Sequence, residues 1–163
     1  MIYDAEQLRA VADTAMHIAQ DNLLKDGFLK PCGLIFTEKG LAKVVEFRFK
    51  DVGQKRRGQA AFKREVINEG GIAVLIVLES WFVFKPDLPV DITKSLEHHP
   101  GRQEAIVIEG VAASGSRLIM VQPFRKHGSV IELDEPIIPD SHYHWESEWT
   151  SGLWDRFIME GKA

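Results

Sequence analysis

Four histidines of the chain have the spacing of metal ligands. His142 and His144 are separated by one residue, so in an extended segment both imidazoles project to the same side and can bind one metal ion. A third ligand can come from His98 or His99, which lie in a proline-rich stretch, or from Glu146 or Asp155. This pattern predicts a divalent metal site, for example for zinc, in a metal-dependent hydrolase. The alternative is that His142 and His144 are surface residues at the start of a helix capped by Ser141.

Glu79 is the second candidate for chemistry. It interrupts residues 72–84, a run that is apolar at almost every position. Burial favours the protonated form of a carboxyl group, so a glutamate in such a strand can serve as a catalytic acid or base. The alternative is a structural contact at the end of the strand, with an arginine or a helix terminus as the partner of Glu79.

Aromatic residues near the C-terminus favour binding over catalysis. Trp145, Trp149 and Trp154 supply a large apolar surface within a short segment. Such a surface is typical of a hydrophobic core, but it is also typical of the energetic centre of a protein interface. We therefore expect a homodimer or a contact with a protein partner through these tryptophans.

Charge excludes a general attraction to nucleic acid. The net charge is −4 at pH 7, so binding to a phosphate backbone would have to be local. One cluster is basic, and it consists of Lys55, Arg56, Arg57, Lys63 and Arg64. Because few aromatic residues interleave with these side chains, the cluster is interpreted as a solvated helix face, and nucleic-acid binding is not expected.

The elements that position these residues follow from hydrophobic periodicity. Apolar residues recur at intervals of three and four over 4–25, and Gly27 follows, which predicts a helix. Residues 34–37 and 41–50 flank the turn Glu38-Lys39-Gly40 and predict a hairpin. In its second arm the alternation of apolar and polar residues predicts one strongly buried face.

The second half of the chain predicts the rest of a sheet and two further helices. Residues 54–69 end at two glycines and predict a middle helix, and 72–84 predicts a strand covered on both faces. Three short strands are predicted at 104–113, 117–124 and 129–133, after a proline-rich loop. Large apolar residues recur at every fourth position from Trp145 to Phe157 and predict a closing helix.

The order helix-strand-strand-helix-strands-helix predicts an α+β fold. We expect a mainly antiparallel sheet of about six strands with an N-terminal, a middle and a C-terminal helix. A chain of 163 residues fits one such domain over residues 1–163.

Composition predicts the compartment. Cys32 is the only cysteine, which rules out an intramolecular disulfide and favours a reducing environment. The chain starts with an amphipathic pattern instead of a signal peptide, and the run 72–84 is shorter than the roughly 18 apolar residues of a membrane span. We therefore expect a cytoplasmic binding or interaction domain without catalysis and without membrane contact; the alternative is the metal-dependent hydrolase.

Overall fold

One antiparallel sheet organises the part of the chain that the computed structural model describes, residues 3–82 and 102–137. The strands follow the order β2-β1-β3-β4-β5-β6 across the sheet. Their bounds are β1 (Cys32–Thr37), β2 (Gly40–Glu46), β3 (Ala73–Phe82), β4 (Gln103–Ala112), β5 (Arg117–His127) and β6 (Val130–Leu133). Helix α1 (Ala5–Asp26) precedes β1, and helix α2 (Val52–Asn68) connects β2 to β3. Neither helix is long and apolar enough to cross a membrane.

Local signals fix both ends of α1. The side chain of Asp4 accepts a hydrogen bond from the Gln7 N–H, and the Gln7 side chain accepts one from the Asp4 N–H, which forms a capping box. Gly27 ends the helix in the left-handed conformation, with φ of 79°, and its N–H donates to the carbonyl of Leu23. The helix then buries one apolar stripe against β3, β4 and β5.

The opposite face of the sheet packs against α2. Phe62 and Val66 of this helix join Ile35, Val74 and Ile76 of the sheet in one buried cluster. Asp51 caps the helix by accepting from the Gln54 N–H. Consecutive residues of β3 therefore enter two different cores, and the prediction that this strand is covered on both faces is confirmed for its first half.

The prediction of three helices is wrong. The described residues contain two helices and six antiparallel strands, which agrees with the α+β class and with the strand number. The predicted closing helix falls in 138–163, outside the described residues. It was based on large apolar residues at every fourth position, and most of these are aromatic residues, which have a lower helix propensity than alanine or leucine.

The prediction of a strongly buried face on the second hairpin arm is also wrong. Strand β2 ends at Glu46 and is the outermost strand, so it has a neighbour on one side only among the described strands. A bulge at Ile35/Phe36 shifts the register and places Leu41 on the same face as Val44, away from α2. The Leu41 and Val44 side chains are each 55% exposed.

Gly110 sets the distance between α1 and the sheet. A Cβ atom at this position would lie 2.9 Å from Leu75 Cδ2 and 3.3 Å from Leu8 Cγ. We expect Gly110→Val to lower the free energy of unfolding by about 1–3 kcal/mol through overpacking. Gly58→Ala, in a helix interior with open space around it, should instead raise it by about 0.5–1 kcal/mol. Urea unfolding of both variants checks this, and a neutral Gly110→Val would contradict it.

Candidate functional site

A groove runs between the edge strand β2 and helix α2, and we call it the β2–α2 groove. Its apolar surface comes from Val45, Phe47 and Phe49 on one side and from Ala61 and Phe62 of α2 on the other. Its volume is about 330 Å³, which lies in the range of ligand sites. A second hollow of about 440 Å³ adjoins it, because both are lined by Phe47, Arg48 and Phe49.

The floor of the groove is two packed aromatic rings. Phe47 and Phe62 meet edge to face with ring centres 5.3 Å apart, and both are almost fully buried. They lie directly on β1 at Gly33, where a Cβ atom would be 2.5 Å from Phe62 Cε2. The Phe47 N–H also donates to the Pro31 carbonyl, which holds this residue beside β1 beyond the end of β2. The floor is therefore apolar and closely packed.

Small residues keep the helix wall open. Gly58 and Ala61 line the groove three residues apart on α2, and a Cβ atom at Gly58 would meet nothing within 4 Å. One turn further along, Glu65 accepts a hydrogen bond from the Lys43 ammonium group of β2. This hydrogen bond raises the pKa of Lys43, so its ammonium group stays charged at neutral pH. The ion pair joins helix and strand at one end of the groove.

The other end of the groove is basic. Arg48 and Lys50 line it, and the Lys55 ammonium group lies 5.9 Å from the centre of the Phe49 ring. Phe49 is 39% exposed. The Lys50 N–H donates to the Gln54 side chain at 2.8 Å, which fixes this turn against the start of α2. The sequence pattern does not reveal this exposed aromatic residue among the cations, because the alternation over residues 41–50 assigns Phe49 to the buried face of a longer strand.

Glu79 lies inside β3, three residues before the end of the strand, and makes structural contacts. Its carboxylate accepts a hydrogen bond of 2.6 Å from the Leu29 N–H, and its other oxygen lies 4.0 Å from Lys126 Nζ. These contacts tie the segment after α1 to the sheet. Its catalytic role stays a prediction.

The histidines and tryptophans named from the sequence lie outside the described residues. These are His98, His99, His142, His144, Trp145, Trp149 and Trp154. The metal site and the aromatic contact therefore stay predictions. Within 3–82 and 102–137, no group of three or more His, Cys, Asp or Glu side chains could hold a metal ion.

The Leu29 contact gives Glu79 a testable structural role. Glu79→Ala leaves the partly buried Leu29 N–H without its acceptor, so we expect a loss of about 1–3 kcal/mol in the free energy of unfolding. Glu79→Gln keeps an acceptor oxygen and should lose less. Denaturant unfolding of both variants measures the difference. Equal losses in the two variants would show that the hydrogen bond to Leu29 does not stabilise the fold.

Cys32 should behave as an inert thiol. Burial, followed by the charge of Glu46 on the neighbouring strand, raises its pKa from 9.0 to about 11. The folded thiol should therefore hold about 100-fold less thiolate than the unfolded one at about pH 8, and thiol-reagent kinetics with and without urea measures this.

The same shift predicts an alkaline loss of stability. Above pH 9.0 the thiol ionises in the unfolded chain while the folded thiol stays protonated, up to about 11. Cys32 should thus remove about 2–3 kcal/mol of stability as the pH rises through this window. Cys32→Ala should lack this contribution, and matching pH profiles of the two proteins would contradict the assignment.

Similarity to known proteins does not add to this geometry. The chain matches no family model, and comparison with curated proteins and with solved structures finds no match. The groove therefore has to be interpreted from its own contacts, charges and exposed surface.

Proposed function

We propose that the protein is a binding domain whose β2–α2 groove takes an extended segment of a partner protein. The observation that carries the proposal is the position of the groove directly beside an edge strand. A strand edge supplies main-chain hydrogen bonds to a peptide, and an adjacent apolar groove supplies pockets for its side chains. This pairing of features is the basis of strand addition, a common mode of peptide recognition.

The exposed surface of β2 suits an added strand. Main-chain groups on its outer side face away from β1, and its seven residues can pair with a peptide of similar length. Alternate side chains of that peptide would lie over the groove, and the others would lie near Leu41 and Val44 on the opposite face. Because the groove is open to solvent, each apolar side chain would be buried only in part and would contribute less than the roughly 1.5–3 kcal/mol of full burial.

The charges around the groove favour binding over chemistry. Lys43 forms an ion pair with Glu65, and the Arg48 Nη2 atom lies 3.4 Å from Glu46 Oε2. The described residues that line the groove include no histidine, cysteine or serine. The carboxylates that could transfer a proton, Glu46 and Glu65, are held in these ion pairs.

The remaining parts of the functional prediction are separate proposals. A cytoplasmic location is supported by the single, half-buried thiol of Cys32, which needs no oxidising compartment. Contact with a second copy or a partner through Trp145, Trp149 and Trp154 is supported by their aromatic surface. Sedimentation at micromolar concentration tests the homodimer.

Two neighbouring alanines of α2 allow a matched test of the groove. Ala61 lines it, whereas Ala60 is exposed on the same helix and does not line it. We expect Ala61→Trp to fill the groove and to abolish binding of peptides selected from a random display library on the wild-type protein. Ala60→Trp should bind them as the wild type does.

Hydrogen exchange provides a second readout of this proposal. Amides of β2 should exchange more slowly when a selected peptide is bound, because its main chain pairs with the open edge. Equal binding by both alanine variants would overturn the assignment of the groove. Failure to select any peptide on a correctly folded protein would overturn the function itself.

A further inference from the structure

The charge of the molecule is distributed unevenly around the groove. Residues 46–57 carry five basic and two acidic side chains, although the whole chain has a net charge of −4. The cations at the end of the groove are Arg48, Lys50 and Lys55. Arg48 is 81% exposed along its side chain despite its contact with Glu46. A local positive field thus stands at one end of the groove, where it can attract an anionic group.

The direction of β2 relates this field to the direction of a bound peptide. β2 runs from Gly40 to Glu46, so its C-terminal end leads into the basic residues. All strand pairs of the sheet are antiparallel, and antiparallel pairing is the more stable arrangement. An antiparallel peptide would therefore place its N-terminal part beside Arg48 and Lys50. Its following residues would lie over the floor formed by Phe47 and Phe62.

From this geometry we infer that the groove prefers an extended peptide in which acidic residues precede an apolar residue. The carboxylates would lie against Arg48, Lys50 and Lys55, and the apolar side chain would lie in the groove beside Val45, over the floor formed by Phe47 and Phe62. The inference rests on the proposed function and deepens it, because it names the chemistry of the partner and the direction of its chain.

A peptide fits the site better than a nucleic acid does. The surface next to the cations is an apolar floor and a strand edge, which offer hydrogen bonds to a main chain and burial to aliphatic side chains. Non-specific binding of single-stranded nucleic acid relies on several aromatic platforms along a basic groove. Here Phe49 is the half-exposed ring beside the cations, while Phe47 and Phe62 are buried.

The test uses four short synthetic peptides that alternate valine and threonine around a central leucine. The first peptide has aspartates and glutamates before the leucine, and the second has them after it. The third has lysines before the leucine, and the fourth has serines there. Fluorescence anisotropy with the full chain should show the tightest binding for the first peptide, by about tenfold over the serine peptide. The lysine peptide should bind most weakly.

Charge reversal locates the preference on the protein. Arg48→Glu/Lys50→Glu should weaken binding of the first peptide by about tenfold and remove the difference between it and the serine peptide. Lys39→Glu/Arg117→Glu changes the net charge equally at positions away from the basic end, and it should keep the preference. Raising the salt concentration should weaken binding of the first peptide more than binding of the serine peptide.

The outcomes separate this inference from the proposed function. Equal affinities for all four peptides, still abolished by Ala61→Trp, would overturn the inference and leave the peptide-binding function in place. Tighter binding of the peptide with acids after the leucine would overturn the antiparallel direction. If no peptide bound and a single-stranded RNA oligonucleotide bound through Arg48 and Lys50 instead, both the inference and the proposed function would fail.

Discussion

Burial of β3 on both faces is the constraint on which the rest of the structure depends. Leu75 and Val77 enter the core under α1, and Val74 and Ile76 enter the core under α2. A strand of this kind is stable only between two layers, so each face of the sheet needs a helix. Gly33 and Gly110 allow the close contacts that result, because α2 lies on β1 at the first glycine and α1 lies on β4 at the second.

The same constraint leaves β2 at the edge. Both helices pack against the central strand β3. Helix α1 lies over β3, β4 and β5 and does not extend over the β1–β2 hairpin. On the other face, α2 contacts β2 through the ion pair of Lys43 with Glu65, and it contacts the segment after β2 through the rings of Phe62 and Phe47. N-terminal to both contacts the helix presents Gly58 and Ala61, and these small residues leave the groove open there. The groove is thus a consequence of where the helices are needed and of two small residues.

Local signals account for what the sequence predicted, and long-range contacts account for what it did not. The cap at Asp4, the glycine stop at Gly27 and the apolar run of β3 each act within a few residues, so the helices and strands near them could be predicted. The pairing of β1 with β3 and the place of β2 at the edge depend on distant segments, and no local pattern encodes them. The groove could not be predicted because it requires both the pairing of β1 with β3 and the position of β2 at the edge. Glu79 shows the same limit, since its partner Leu29 is fifty residues away in sequence.

An edge strand is normally protected, and within residues 3–82 and 102–137 the protection of β2 is only partial. Lysine at the centre of an edge strand opposes pairing with other chains, and Lys43 has that position. Its ammonium group, however, is held by Glu65 on the α2 side of the sheet, which keeps the charge away from the opposite face, where Leu41 and Val44 are exposed. Exposed aliphatic side chains on an edge strand promote aggregation. In a protein that has no use for that edge, we would expect such side chains to have been replaced. The combination supports the proposed pairing with a partner over complete protection of the edge, and the basic end of the groove would supply the basis for selecting that partner.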